Sequence, residues 1–345
     1  MKVLVIGGTG FIGTHVVKSL LENDHEPSVL HRGRSQVELP TGALSVIGDR
    51  ALLKDMSRVV NETKPDVIID MIPRTAQESW SLISSARDLV SRIVVVSSID
   101  VYRAYNRLRK VEPGKPDPTP LKEDAPLREI LFPYRGNAVD ALHLSYMYEK
   151  ILVERLALSE PSIPSTIVRL PVVFGPSDPQ TRIYDYLRRM NDKRPFILMG
   201  DRQARWKVTR GFVTDVARAV ALCAQDQSKN CRIFNTGQKD PVNEYEWVKM
   251  ISRAASWKGE IITIDDDAMP EHIRQDYDWG QDLTIDSSRI RDELGFRESV
   301  DIEKALSQTI EWQTKNPPSD KSEEPINYAA EDQQAASAKR FANIQ

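Results

Sequence analysis

The chain is 345 residues long, enough for about two ordinary domains or one large α/β domain carrying an insertion. Its 40% hydrophobic, 28% charged and 7% aromatic residues, with 16 Gly and 21 Pro, exclude a collagen-like, coiled-coil or largely disordered protein. Lys and Arg number 47 against 50 Asp and Glu, a net charge of -3, so no global positive field draws the chain to nucleic acid or to an anionic membrane. Cys223 and Cys231 have no His or Cys at metal-ligand spacing, so neither a disulfide framework nor a bound metal is expected, and both read as free thiols in a reducing compartment. The apolar run Val3 to Ile6 stops at Gly7-Gly8, short of a signal peptide, and no stretch approaches a membrane span; a soluble cytoplasmic protein is expected.

In chain order, Val3 to Ile6 reads as a buried strand and Phe11 to Leu21 carries apolar residues at helical spacing. Pro27 to Leu30, Leu44 to Ile47 and Asp66 to Ile69 read as further Val- and Ile-rich strands, Trp80 to Leu89 as a helix, and Ile93 to Val96 and Thr166 to Leu170 as strands. This alternation predicts an α/β fold, a doubly wound parallel sheet of the Rossmann type over residues 1–174. Arg103 to Asn137 breaks the rhythm with six prolines and reads as a functional or lid-like insertion. Smaller strands and helices over 175–312, including Asp215 to Ala224 and Tyr245 to Ala255, predict a smaller α/β substrate-binding part, the chain re-entering the first domain near 208–236. Residues 313–345 turn polar and Pro-rich and read as a mobile tail.

The first strand runs directly into Gly7-Gly8-Thr9-Gly10-Phe11-Ile12-Gly13 and then a helix. Small residues there let the backbone approach a pyrophosphate, whose charge sits on the N–H groups at the helix start, so Gly7, Thr9, Gly10, Phe11, Ile12 and Gly13 are candidate dinucleotide ligands. The second strand ends in His31-Arg32-Gly33-Arg34, where an NAD enzyme usually has an acidic residue for the ribose 2'-hydroxyl. A guanidinium grips a 2'-phosphate instead, so His31, Arg32 and Arg34 favour NADP, with NAD the alternative. After the third strand come Asp49 and Arg50, and the Asp49 carboxylate can accept from the adenine amino group or cap a helix.

Tyr146-Met-Tyr148-Glu-Lys150 places Tyr146 four residues before Lys150, so on a helix those two share a face and Tyr148 points away. A phenol titrates near pH 10, and an adjacent ammonium stabilises its phenolate, making Tyr146 a candidate acid/base. The glycine loop, the Ser97-Ser98 strand end before Val101-Tyr102 and Tyr-x-x-x-Lys, in this order, resemble the extended short-chain dehydrogenase/reductases, the NAD-dependent epimerase/dehydratase family. Arg169-Leu-Pro171-Val-Val-Phe-Gly175-Pro176, Arg210-Gly-Phe-Val-Thr-Asp215, Phe234-Asn235-Thr-Gly237 and the stretch from Asp286 to Phe296 extend the resemblance over about residues 1–312. It implies that Ser98 hydrogen-bonds the reacting oxygen, Tyr146 exchanges its proton, and Lys150 binds the nicotinamide ribose and tunes Tyr146. Pro171 and Val173 would flank the nicotinamide, with Met71, Ile72 and Pro73 at the passage beside the fourth strand. Hydride transfer at a secondary alcohol or ketone of a polar, possibly sugar-derived substrate follows, and a homodimer is in keeping with the family.

Three departures bear on the substrate. The fourth strand ends Asp70-Met71-Ile72-Pro73, where the family usually has His-Leu-Ala-Ala; Ile99-Asp100 supplies one carboxylate where sugar-nucleotide 4,6-dehydratases keep two; and the Pro-rich insertion lengthens the distance from Ser98 to Tyr146. Arg135, Arg205 and Arg210 are candidate anion ligands for the substrate, and Trp206 and Trp279 candidate stacking partners. A sugar-nucleotide epimerase without net redox, a reductase of a non-sugar ketone and a non-catalytic cofactor sensor or nucleic-acid-binding relative are the competing readings.

Overall fold

The computed structural model describes residues 1–33, 38–137, 143, 145–318 and 326–342. The strands are β1 (Lys2–Ile6), β2 (Glu26–His31), β3 (Leu44–Ile47), β4 (Val67–Asp70), β5 (Arg92–Ser98), β6 (Ser165–Leu170), β7 (Val172–Phe174), β8 (Phe196–Gly200), β9 (Arg210–Phe212), β10 (Arg232–Asn235) and β11 (Glu260–Ile264). The helices are α1 (Phe11–Glu22), α2 (Leu53–Thr63), α3 (Ala76–Ala86), α4 (Arg103–Leu108), α5 (Lys150–Ser159), α6 (Tyr184–Asn191), α7 (Asp201–Arg205), α8 (Val213–Ala224), α9 (Glu244–Ala254), α10 (Ser288–Leu294), α11 (Ile302–Lys315) and α12 (Tyr328–Ala342).

Seven strands form one sheet in the order β10-β6-β5-β4-β1-β2-β3, every pair parallel. Strand side chains alternate between faces, and both faces are covered. Val3 and Val5 pack with Val16, Val17 and Leu20 of α1 and Val216 and Val220 of α8, whereas Leu4 and Ile6 pack with Met56 and Val59 of α2, Leu82 of α3 and Val153 of α5. That double burial is why these strands read in sequence as unbroken Val and Ile runs. The expected doubly wound Rossmann sheet is therefore present, and because parallel strands end on one edge, the loops after β1, β4 and β5 open on the same side.

The second part carries two short parallel pairs, β8 with β11 and β7 with β9. The segment expected as a lid-like insertion is tied down instead: Arg103 and Arg107 both pair with Asp117 at 2.6 and 2.7 Å, and Leu121 and Tyr102 bridge to Ile285 and Leu127. A further difference concerns the segment expected as a mobile tail. Residues 319–325 and 343–345 lie outside the described residues, but α12 docks on β8: Ala335 is buried with Phe196, Leu198, Ile264 and Met269. Buried Glu331 accepts two hydrogen bonds from Arg189, at 2.6 and 3.2 Å, and contacts His272 at 3.1 Å.

Candidate active site

β1 delivers the chain into the glycine loop. Gly7 has φ +84°, which an L side chain rarely adopts, and a Cβ there would lie 2.9 Å from Ile72. A Cβ on Gly13 would lie 2.2 Å from the Gly7 carbonyl oxygen, so α1 can start this close to the loop only with glycine at that position. The N-cap residue Gly10 makes no side-chain cap, which leaves the first amides of α1, through Phe11 and Ile12, for an anion. This cradle, Thr9 at its tip, fits a dinucleotide pyrophosphate.

At the adenosine end, His31 Nδ1 accepts from the Gly33 N–H at 3.1 Å, which puts the ring proton on Nε2, 2.8 Å from Ser45 Oγ. Arg32 is exposed just past β2, while Arg34 lies outside the described residues. Asp49 accepts from the Ala51 N–H at 3.0 Å, bracing the turn into α2. Arg50, grouped with Asp49 as a cofactor ligand from the sequence, is buried against Asp70, one of its two hydrogen bonds measuring 2.7 Å. Asp70 Oδ1 also accepts from the Ile72 N–H at 3.2 Å, so this pair shapes the chain through Met71, Ile72 and Pro73 where it passes the glycine loop. Arg50 thus braces this passage through Asp70, while its Nε is buried without a hydrogen-bond partner among the described residues.

At the other end, Ser98 terminates β5 and its Oγ accepts from the Asp100 N–H at 3.2 Å. Lys150 is buried at the start of α5 and donates to the Val96 carbonyl at 2.8 Å. Burial pulls its ammonium down to about 8, against the opposing charges of Asp70 and Asp100. Pro171 and Val173 are buried just beyond β6.

The expectation that Tyr146 shares a helical face with Lys150 does not hold. The helix begins at Lys150, with Glu149 in extended backbone, φ -155°, as its N-cap, accepting from the Ile151 N–H at 2.8 Å. Glu149 is fixed there by Arg128, which donates to both of its carboxylate oxygens at 2.8 Å in a buried pair. Tyr146 instead lies under the Arg135 guanidinium, 4.7 Å from its ring centre, and Arg135 Nε donates to the Tyr146 carbonyl at 3.2 Å. The phenol turned inward is Tyr148: its hydroxyl donates to Asp100 Oδ2 at 3.0 Å, and Lys150 Nζ lies 5.7 Å from its ring centre. Tyr134 donates to the same oxygen at 2.9 Å. Burial, then the Asp100 charge, pushes both phenols above their ordinary range, and burial raises the Asp100 carboxyl. Sequence spacing missed Tyr134, Arg128 and Glu149, whose partners lie 21 or more residues away; Asp100 stood out only as the one carboxylate after Ser98.

A cavity of about 700 Å³ opens between β7, β9, α6 and the chain near 269–279, lined by Arg182, Arg210, Trp206, Tyr277 and Trp279. Arg210 is ion-paired with Glu244 and lies 4.4 Å over the Trp247 ring. Trp206 and Trp279 meet edge to face at 5.3 Å. Arg205 does not reach this cavity; it is exposed and pairs with Asp201 at 3.3 Å. Among the described residues no group of His, Cys, Asp and Glu could hold a metal, and no helix is long and apolar enough to cross a membrane.

Comparison with known proteins agrees with this architecture. A model of the NAD dependent epimerase/dehydratase family matches residues 3–237. UDP-N-acetyl-alpha-D-glucosaminuronate decarboxylase of Bacillus cytotoxicus is 24% identical over 338 residues, covering 90% of this chain and 97% of the relative. The 2'-dehydrokanamycin reductase of Streptomyces kanamyceticus is 28% identical over 238 residues, 66% of this chain and 60% of the relative. The crystal structure of UDP-glucose-4-epimerase from Stenotrophomonas maltophila, with bound NAD and formylated UDP-arabinopyranose, has the same fold: TM-score 0.69 at 18% identity, over 91% of this chain and 98% of that one.

Proposed function

The chain belongs to the NAD dependent epimerase/dehydratase family, and from that premise we propose that it is an NAD(P)-dependent oxidoreductase transferring hydride at a secondary alcohol or ketone of a polar, sugar-derived substrate. The observation that carries this reading is the gathering of Ser98, a buried Lys150 and the inward phenol Tyr148 on the sheet edge where the glycine loop opens. Only β4 separates β1 from β5, so Gly7 and Ser98 follow strands about 10 Å apart, within the span of one dinucleotide.

A bound nicotinamide supplies or takes the hydride. The chain's own residues handle the oxygen and the proton. Ser98 Oγ hydrogen-bonds the reacting oxygen, and Tyr148 exchanges its proton, the role that the Tyr-x-x-x-Lys spacing reserves for Tyr146. Lys150 holds the ribose hydroxyls and its charge favours the phenolate. Arg32, exposed past β2 with no acidic residue beside it in His31-Arg32-Gly33, supports NADPH as the cofactor. The aromatic and arginine-lined cavity supports a substrate with a ring and an anionic group, in keeping with the UDP-sugars named for the decarboxylase and epimerase relatives. We read the enzyme as cytoplasmic and homodimeric, with Cys223 and Cys231 unpaired and no nucleic-acid partner.

Titration with NADPH and NADH tests the cofactor assignment. NADPH should bind more tightly, and Arg32→Ala should weaken it by about 10-fold while leaving NADH unchanged. Tighter NADH binding by the unmodified protein contradicts the NADP assignment.

A further inference from the structure

Besides Asp70, which Arg50 holds, three carboxylates are buried close to Lys150, and they are satisfied in different ways. Glu149 is held by Arg128, and Glu154 by Arg169 through hydrogen bonds of 2.7 and 3.0 Å. Asp100, 3% exposed, touches no cation with its carboxylate: Oδ2 accepts only the hydroxyls of Tyr148 and Tyr134, and Oδ1 is buried without a partner among the described residues. A carboxylate retained for stability alone in such a place calls for a guanidinium, as its two neighbours have. The hydrogen bonds continue outward. The hydroxyls of Tyr134 and Tyr105 are 3.0 Å apart, and Tyr105 packs in the same cluster as Tyr277 and Trp279, which line the 700 Å³ cavity.

Resting on the oxidoreductase reading, we propose that Tyr105, Tyr134 and Asp100 form a proton relay that recharges Tyr148 after each reductive turnover. In that turnover a hydride from the reduced nicotinamide forms the new C–H bond, the carbonyl π bond breaks, and the resulting oxygen takes the Tyr148 proton. Tyr134 then passes its proton to the Asp100 carboxylate, and the carboxyl group passes one to the Tyr148 phenolate. Tyr105, which is only half-buried, refills Tyr134 and takes a proton from water. One ketone, one NAD(P)H and one proton become one alcohol and one NAD(P)⁺. An epimerase, which returns its hydride and proton within the site, has no use for such a supply.

The charged groups around the relay leave this path open. Arg128 Nε donates to the Asp100 carbonyl and its remaining nitrogens to Ile130 and Glu149; Glu149 is filled by Arg128 and by the N–H groups of Phe132 and Ile151; Lys150 donates to Val96; and Arg109 lies 5.5 and 5.6 Å over the Tyr105 and Tyr134 rings, where it stabilises a passing phenolate. Burial raises the Asp100 carboxyl and both phenols above their ordinary ranges, so the relay rests on the hydrogen bonds already formed between them.

The test compares single with multiple turnovers, using UDP-4-keto-6-deoxyglucose and NADPH. Tyr134→Phe breaks the relay but leaves Tyr148 its first proton. Its first turnover should stay within about 3-fold of the unmodified protein, while steady-state kcat falls about 10- to 100-fold with a larger solvent isotope effect, and added imidazole restores it. Tyr105→Phe should show a weaker form of the same split. A first turnover that falls as far as kcat, or a kcat that does not change, overturns the relay and leaves the oxidoreductase reading standing. Absence of net NADPH oxidation by the unmodified protein overturns both.

Discussion

Arg128 and Glu149 meet through two hydrogen bonds of 2.8 Å each, with neither side chain more than 1% exposed. The pair joins the Pro-rich segment to the N-cap of α5, so it sets where the helix starts and holds Tyr148 and Lys150 on either side of it. Removing one partner leaves a buried charge alone, at a cost of about 3 to 5 kcal/mol. Glu149→Gln should therefore lower Tm markedly, and Arg128→Met/Glu149→Leu should recover part of the loss. Thermal unfolding of the two variants beside the unmodified protein checks this; a Tm unchanged by Glu149→Gln contradicts it.

Tyr148→Phe removes the hydroxyl that donates to Asp100 and should lower kcat by about 10²- to 10⁴-fold with cofactor affinity unchanged. Tyr146→Phe alters a ring stacked on Arg135 and should keep most of the activity. The reverse ranking in steady-state kinetics would return the proton-transfer role to Tyr146.

The sheet and the phosphate loop were legible in the sequence because their causes are local. Parallel strands buried on both faces must be apolar throughout, and Gly7 and Gly13 stand where a Cβ would collide. The inward tyrosine was not legible. Tyr-x-x-x-Lys fixes a shared face only if one helix runs through both residues, and that helix is cut short by an N-cap whose partner, Arg128, is 21 residues upstream. The docked α12 was hidden for the same reason. Glu331 finds Arg189 across 142 residues, although the alanine-rich run from Ala329 to Ala338 does carry a helix signal.

Lys150 should give the proposed activity an alkaline limit. Its ammonium has a folded-state value of about 8, below the ordinary lysine value of 10.5, so its charge is present below pH 8 and is lost as pH rises through it. Then kcat/KM for the cofactor should fall on the alkaline side with a midpoint near 8. Folding follows the opposite sense. In the window between 8 and 10.5 the unfolded chain holds this proton and the folded one does not, so the Lys150 contribution to stability improves as pH rises across it. A profile flat to pH 10 contradicts the alkaline limit.

Deleting everything after residue 318 removes α12, uncovers Phe196, Leu198 and Met269, and leaves Arg189 and His272 without Glu331. Tm should fall by several degrees. Glu331→Gln should produce part of that loss through the ion pairs alone. An unchanged Tm in the truncated protein would mean that α12 adds nothing to the stability of the body.

The stoichiometry of cofactor use bears most directly on the proposed activity. With UDP-4-keto-6-deoxyglucose as the test ketone, NADPH oxidised and alcohol formed are measured together over many turnovers. An oxidoreductase that draws one proton and one hydride per cycle should consume one NADPH for each alcohol formed. Conversion of UDP-glucose to its C4 epimer with a catalytic trace of NAD, and no net absorbance change with the ketone, would contradict the oxidoreductase reading.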